Sequence, residues 1–436
     1  MKRTFSTIPS LATRSVSQQA AHCFRRGYGS KTSKPLRVLF CGSDELSCES
    51  LRAVHAEHER NPDLIASIDV LIRRAKKVGR GLKRERDVPI KAVAGELELP
   101  IHEIGHFIPD WKLRRPNDEK ISLIIAVSFG LFIPAQVLQD TEYGGINIHP
   151  SLIPDYRGAA PLHHVLMNGE PSTGITLQTL DHHSFDRGTI LAQTAPPGLI
   201  PIPPLCTYDQ LLDMIKPRAA EMLISGLRKR LFVPPFTDFG LYKPKEVRLA
   251  SKITSEHRQI DWANWDTNKI VRHSKALGRL WSQCYVEGRG KATAYRTIFE
   301  DMAIFKPAIE TDTWVGMVGM FEDTYIKNAL TNSGYLQIAQ PFHYGYWSTF
   351  LLADGTKRKE MWFQHGEGII ICRREGQKLQ YLLVNKVTVE GKEPSGAYRA
   401  MCSVNKIVEP EKSLEGAADK SWPGGSITID APKARR

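Results

Sequence analysis

Leu36-Arg-Val-Leu-Phe-Cys-Gly-Ser-Asp44 is the stretch whose reading decides the fold. A short apolar run closes on a glycine turn and leads into helically spaced Leu46, Leu51 and Val54, the pattern of a buried parallel strand entering a βα unit. Outward from it, Ile65–Ile72 reads as a second strand, Ile90–Leu97 as a helix and Ser122–Val127 as a further strand. Strands alternating with helices predict an α/β domain built on a Rossmann-like open parallel sheet. Gly-x-Gly-x-x-Gly is absent after the first strand, so no dinucleotide site is signalled. The longest apolar stretch, Ile121 to Ala135, contains Ser122, Ser128, Gly130 and Pro134; it reads as a strand and turn, and no run reaches the ~20 apolar residues that span a bilayer.

Further along, Thr207–Arg230 is an amphipathic helix, with Leu211, Leu212, Ile215, Ala219, Met222, Leu223 and Leu227 at helical spacing. Val233-Pro-Pro-Phe-Thr-Asp-Phe-Gly240 breaks that pattern and reads as a linker. Beyond it, Gln259–Leu280 holds one helix, and the rest reads as short strands: Ala303–Lys306, Thr313–Val318, Tyr335–Ile338, Gly368–Arg373, Leu379–Val384 and Thr388–Glu390. Such a run predicts a smaller, OB-like β-barrel as the C-terminal domain.

The chain has 436 residues, enough for two or three domains, and its 59 Lys and Arg exceed its 47 Asp and Glu, a net charge of +12. That balance favours polyanionic partners and says nothing about fold. The seven cysteines, Cys23, Cys41, Cys48, Cys206, Cys284, Cys372 and Cys402, form no CxxC pair; they read as buried small hydrophobes in a reducing compartment, with no metal site. The first 43 residues lack Asp and Glu but carry eight Lys or Arg and many Ser and Thr. That is the composition of an organellar transit peptide, with a disordered basic arm as the alternative. The expected division is therefore 1–34 presequence, 35–232 catalytic domain, 233–250 linker, 251–408 β domain and 409–436 disordered tail.

Chemistry concentrates in Gly145-Ile-Asn-Ile-His-Pro-Ser-Leu-Ile-Pro-Asp-Tyr-Arg-Gly-Ala-Ala-Pro161. Alternation along Ile146–His149 puts Asn147 and His149 on one side of a strand. Pro150 and Pro154 then turn the chain, so both polar groups sit at a strand's carboxyl end, the edge where open α/β sheets bind ligands. A histidine that merely caps a loop is the plain alternative.

Asn147, His149, Ser151-Leu-Ile-Pro154 and Arg157-Gly-Ala-Ala-Pro161 resemble the signature of folate-dependent formyltransferases, especially those acting on methionyl-tRNA. Thr173-Gly-Ile-Thr-Leu177, Phe185-Asp-Arg-Gly188 and Ile190-Leu-Ala-Gln193 continue the resemblance in order, and Lys252 to Trp262 resembles the start of the family's tRNA-side domain. The resemblance covers roughly residues 36–285. It implies a catalytic trio, Asn147, His149 and Asp186, with 10-formyltetrahydrofolate as formyl co-substrate and methionine on initiator tRNA as acceptor. An amide and an imidazolium suit the oxyanion of a tetrahedral intermediate, and a carboxylate beside the histidine orients it. The resemblance further implies folate contacts from Ser128, Phe129, Gly130 and Leu131 and from Ser151, Leu152 and Pro154. It departs at Asp155, where relatives often carry Arg, in the spacing between Thr173-Gly174 and Asp186, one residue longer than usual, and in Asp181-His-His-Ser-Phe-Asp186, which replaces a segment that normally carries a Gly; His182 and His183 are expected in a solvent-exposed loop.

Arg73–Arg86 holds eight basic residues and one acid around two glycines, which reads as a flexible loop suited to a phosphate backbone. By resemblance to the loop that enters the tRNA acceptor end, Arg80 is the key contact, flanked by Lys76, Lys77 and Lys83. Arg157, Lys252 and Arg272 are further tRNA candidates, with Lys245, Arg248, Lys275 and Arg279 beside them. The expectation is a monomeric enzyme of the mitochondrial matrix. Two rivals are a formyltransferase for a small amine and a catalytically silent RNA-binding relative.

Overall fold

The computed structural model describes residues 31–78, 81, 83–105, 120–286, 293–306, 345–376, 378–393 and 395–405. Arg80, Cys23, the segments expected as strands at 313–318 and 335–338, and nearly all of the expected presequence and tail lie outside those residues. In chain order the first half comprises β1 (Leu36–Gly42), α1 (Glu45–Arg60), β2 (Ile65–Arg73), β3 (Lys76–Val78), β4 (Arg84–Arg86), α2 (Ile90–Glu96), β5 (Ile101–Ile104), β6 (Leu123–Val127), α3 (Ala135–Gln139), β7 (Gly145–His149), α4 (Pro161–Asn168), β8 (Ser172–Thr173), β9 (Thr176–Thr179), β10 (Ile190–Gln193), β11 (Ile200–Pro201) and α5 (Tyr208–Arg228).

The main sheet has the order β10-β9-β7-β6-β1-β2-β5. β5, β2, β1, β6 and β7 run parallel, while β9 and β10 add antiparallel at one edge. The expected parallel sheet is thus parallel at its centre and mixed overall. β1 is apolar from Val38 to Cys41 because both of its faces are covered there. Val38 and Phe40 join the core beneath α1 and α5, whereas Leu39 and Cys41 pack on the opposite side with Ile124, Phe129, Ile133 and Leu138. Two helix starts are fixed by side chains. Asp44 accepts from Ser47 N at 3.1 Å, and Thr207 and Gln210 form a reciprocal capping box at α5. Glu57 in α1, 2% exposed, takes both Nε and Nη2 of Arg228 in α5, which ties the two helices together.

In the basic segment expected as a flexible loop, the described residues on either side of Arg80 pair as a short hairpin ribbon. β3 and β4 pair antiparallel, Lys76 against Arg86 and Val78 against Arg84. Its strands are short and charged, so composition hid them, yet a two-stranded ribbon with exposed side chains places those charges in solvent.

The second half comprises α6 (Thr267–Leu277), β12 (Leu280–Val286), β13 (Thr293–Phe305), β14 (Gly345–Leu351), β15 (Lys357–His365), β16 (Gly368–Glu375), β17 (Lys378–Val389), β18 (Ser395–Gly396) and α7 (Ala397–Asn405). β13-β12-β14-β15-β16-β17 run antiparallel in that order, and pairing of β13 with β17 closes the ring. The expected OB-like barrel is therefore a closed six-stranded one, where an OB-fold has five strands. Trp262, just upstream, plugs it: the indole stacks on Phe350 at 4.5 Å and donates Nε1–H to Ser282 Oγ. The buried Arg373 donates to the carbonyls of Trp262 and Trp265, fixing the plug to β16.

Candidate active site

The parallel strands β1 and β2 run outward to β5, and the chain then returns to β6 and β7 on the other side of β1. At such a reversal the loops part beyond the strands' carboxyl ends and leave a crevice. A cavity of about 570 Å³ lies there, within the range of small-molecule sites. Ser43 and Asp44 follow β1, Ser128–Ile133 follow β6, and Asn147, His149 and Pro150 close β7; all line it.

Asn147 and His149 both reach Asp186. His149 is 5% exposed, with Nδ1 3.4 Å from Asp186 Oδ1 and Nε2 2.9 Å from the Tyr156 carbonyl. Both ring nitrogens thus face oxygen acceptors, so a ring with a proton on each would donate to both. Asn147 Nδ2 donates to the same Oδ1 at 3.3 Å. Gln178 Nε2 does so at 3.1 Å, and Gly158 N donates to Oδ2 at 2.9 Å. Asp186 has φ +56, an uncommon conformation that aims its carboxylate back under β7.

Two glycines make this possible. A Cβ on Gly188 would sit 1.7 Å from Thr179 O, and one on Gly158 would sit 2.3 Å from Ala250 O. Only bare backbone fits where the Asp186 loop and the Gly158 turn cross their neighbours.

Ser128, Phe129, Gly130 and Leu131 all stand on the cavity wall, joined by Phe132, Ile133 and Leu180 in an apolar face that suits a flat ring system. Ser151, Leu152 and Pro154, expected beside them, stand behind that wall rather than on it. Ser151 is fully buried and donates Oγ–H to Asp155 O, Thr176 Oγ1 donates to Ser151 O, and Leu152 fills the space beside Gly174. The three shape the turn behind His149.

Of the cationic candidates, Lys252 lies at the cavity rim, exposed, and Arg157 is half-buried with its Nε unpartnered. Burial and then neighbouring Arg187 depress the Arg157 guanidinium, opposed by Asp186. Lys76, Lys77 and Lys83 are exposed on or beside the hairpin. Arg272, half-buried, donates its Nε–H to Met167 O at 3.3 Å and joins α6 to the end of α4. Arg248 is also engaged, donating Nη2 to Asp155 at 2.5 Å and Nη1 to Glu170. Asp155, the position at which the resemblance departs, is 1% exposed and anchors that arginine.

Sequence reasoning missed Gln178, Phe185, His163 and Arg73. Gln178 was findable: Thr176–Thr179 alternates, and Gln178 pairs across the ladder with Asn147. Phe185, 59% exposed, meets Phe132 edge-to-face at 5.3 Å on the cavity wall. His163 stacks on Tyr208 at 4.2 Å, and burial pushes it down to about 4. Asp181, which accepts from the backbone of His183 and Ser184, caps its own turn, and His182 and His183 are exposed. Among the described residues no cluster of three or more His, Cys, Asp or Glu is disposed to hold a metal ion.

A carboxylate gripped by an amide and an imidazole at a sheet's ligand edge, beside an apolar slot, is equipment for acyl transfer to nitrogen. The profile of the family described as Formyl transferase matches residues 36–225, the span of the open sheet and its cavity. The fold and site thus define an enzyme of the formyl transferase class. A putative methionyl-tRNA formyltransferase of Schizosaccharomyces pombe is 31% identical over 270 residues, 57% of this chain and 74% of its own length. The mitochondrial methionyl-tRNA formyltransferase of Saccharomyces cerevisiae is 30% identical over 57% of this chain and 69% of its own, and the human one 30% over 56% and 58%. The chain belongs to the methionyl-tRNA formyltransferase family.

Proposed function

We propose that this enzyme moves the formyl group of 10-formyltetrahydrofolate to the α-amino group of methionine on initiator tRNA, in the mitochondrial matrix and as a monomer. The convergence of Asn147, His149 and Asp186 at one end of an apolar cavity carries this reading. The neutral amine attacks the formyl carbon, forming the new N–C bond as the carbonyl electrons move to oxygen. One N–H of Asn147 is held by Asp186, and the other is free to meet that oxyanion. His149, or a water held by Asp186, takes the proton that the amine loses and passes it to N10 of the donor as the C–N10 bond breaks. The donors around Asp186 fix its carboxylate beside His149 before the reactants arrive. The apolar wall at Phe129, Leu131 and Ile133 takes the donor's ring system, and the exposed lysines and arginines of the β3–β4 hairpin face the RNA.

The test is transfer of labelled formyl from 10-formyltetrahydrofolate to charged initiator tRNA, in parallel with small amines such as an amino-sugar nucleotide. Formylated methionyl-tRNA is the expected product. Transfer to the small amine with none to the tRNA would overturn the assignment.

A further inference from the structure

Arg73, the last residue of β2, is on the cavity wall and has no part in the chemistry above. Its guanidinium lies over Gly130, where an added Cβ would stand 3.3 Å from Nη1; Gly130, at φ +70, keeps that space open. Its Nε is buried without a hydrogen-bond partner. The acids on the same wall are committed elsewhere: Asp44 to Ser47 N and the Ser128 hydroxyl, Asp181 to its own turn, and Asp186 to the catalytic donors. A half-buried cation with no counter-ion among the described residues is costly until an anionic oxygen reaches it, and a planar fork takes such oxygens two at a time.

Two anions accompany the reactants into this crevice, the phosphodiester of the RNA's 3′ end and the glutamate carboxylate of the folate. The surroundings favour the phosphodiester. Three residues after Arg73 the chain enters the hairpin, where exposed Lys76, Lys77, Lys83, Arg84 and Arg86 outnumber the single acid Glu85, so positive charge stands on the solvent side of the crevice next to Arg73 in the chain. The geometry points to Arg73 as the residue that grips the backbone of the 3′-terminal nucleotide, whose sugar carries the methionyl ester. This assignment rests on the tRNA acceptor proposed above. Arg73 fixes the ester's distance from Asn147 by holding the phosphate on the far side of the same nucleotide.

The experiment compares wild type, Arg73→Gln and Arg73→Lys as full-length proteins. The dissociation constant is measured for uncharged initiator tRNA, and for the same tRNA lacking its 3′-terminal nucleotide, across a range of salt. The KM for the formyl donor is read in parallel. Arg73→Gln is expected to weaken the intact tRNA about tenfold and to flatten the log–log salt slope by about 0.7. The trimmed tRNA should bind wild type and variant alike, with the donor KM unmoved. Arg73→Lys, which keeps the charge but not the fork, should lose less affinity and retain the slope; it decides the matter should Arg73→Gln fail to fold. Equal losses for intact and trimmed tRNA, an unchanged tRNA affinity, or a rise in donor KM alone would overturn the assignment. Wild-type formylation of charged tRNA is a separate measurement, so a failure of the activity and a failure of Arg73 are told apart.

Discussion

Gly158 and Asp186 stand 28 positions apart, yet the Gly158 N–H donates to Asp186 Oδ2 across 2.9 Å. The carboxylate is held from behind by main chain while its other oxygen receives Asn147 and Gln178 and faces His149. Its orientation belongs to the backbone, so the charge can be altered without losing the shape. Asp186→Asn should therefore lower kcat by ~10²-fold or more and leave tRNA affinity within a factor of about two. Steady-state kinetics with a parallel binding titration decide this; near-normal turnover would remove Asp186 from the chemistry.

Gln178→Leu removes one of the two side-chain amides on Asp186 Oδ1 and leaves Asn147 in place. The expected loss in kcat is about tenfold, smaller than for Asp186→Asn, because the carboxylate keeps its charge and its main-chain donor. A loss as large as that of Asp186→Asn would show that Gln178 meets the reactants itself.

The close backbone crossings carry a structural forecast. Gly188→Ala forces a methyl into Thr179 O and should destabilise the fold by about 1–3 kcal/mol, with turnover falling because the Asp186 loop must shift. Gly95→Ala, whose Cβ would meet nothing within 4 Å on helix α2, should instead stabilise by about 0.5–1 kcal/mol. Urea unfolding midpoints should move in opposite directions. A neutral Gly188→Ala would contradict the packing described.

Arg248 and Asp155 should behave unequally. Arg248→Ala strands Asp155, 1% exposed, and should cost about 3 kcal/mol. Asp155→Ala leaves an arginine whose side chain is 38% exposed and still has Glu170, so about 2 kcal/mol is expected. Chemical denaturation of both single variants gives the order; a reversed order would mean that Asp155, not Arg248, is the group that water can satisfy.

Acid sensitivity has a traceable source in two histidines. Burial pushes His163 and His273 down to about 4 from the usual 6.5. Their folded values lie below the unfolded one, so between those pH values the unfolded chain binds protons that the folded chain refuses. Their contribution is complete above pH 6.5 and is lost as pH falls through that window. The double variant His163→Gln, His273→Gln should show a shallower decline in unfolding free energy over the same range. An identical slope would show that neither ring is excluded from protonation.

Much of this was legible because local pattern and burial agreed. β1, β2, β6 and the helix behind Thr207 fall where apolar spacing placed them, and Asn147 and His149 share a side because a strand alternates. The barrel was harder to read. Leu379–Val384 and Thr388–Glu390, read as two strands, are one long β17, since the polar Asn385 and Lys386 between them simply face outward. β15 went unread because Lys357, Lys359 and Glu360 depress strand propensity, although Trp362 and Phe363 pack inside. Asp155 is the clearest case of a residue that spacing cannot interpret: its partner Arg248 lies 93 positions away and only the folded chain brings them together.

The plug residue Trp262, the helix α6 and the sheet beneath α5 share a single continuous cluster of buried apolar side chains that runs from Leu36 to Val404. The two halves of the chain therefore have no separate interiors to melt one after the other. Calorimetry should register one endotherm, and a molecule bound in the cleft should raise the temperature at which the distant barrel comes apart, without ever touching it.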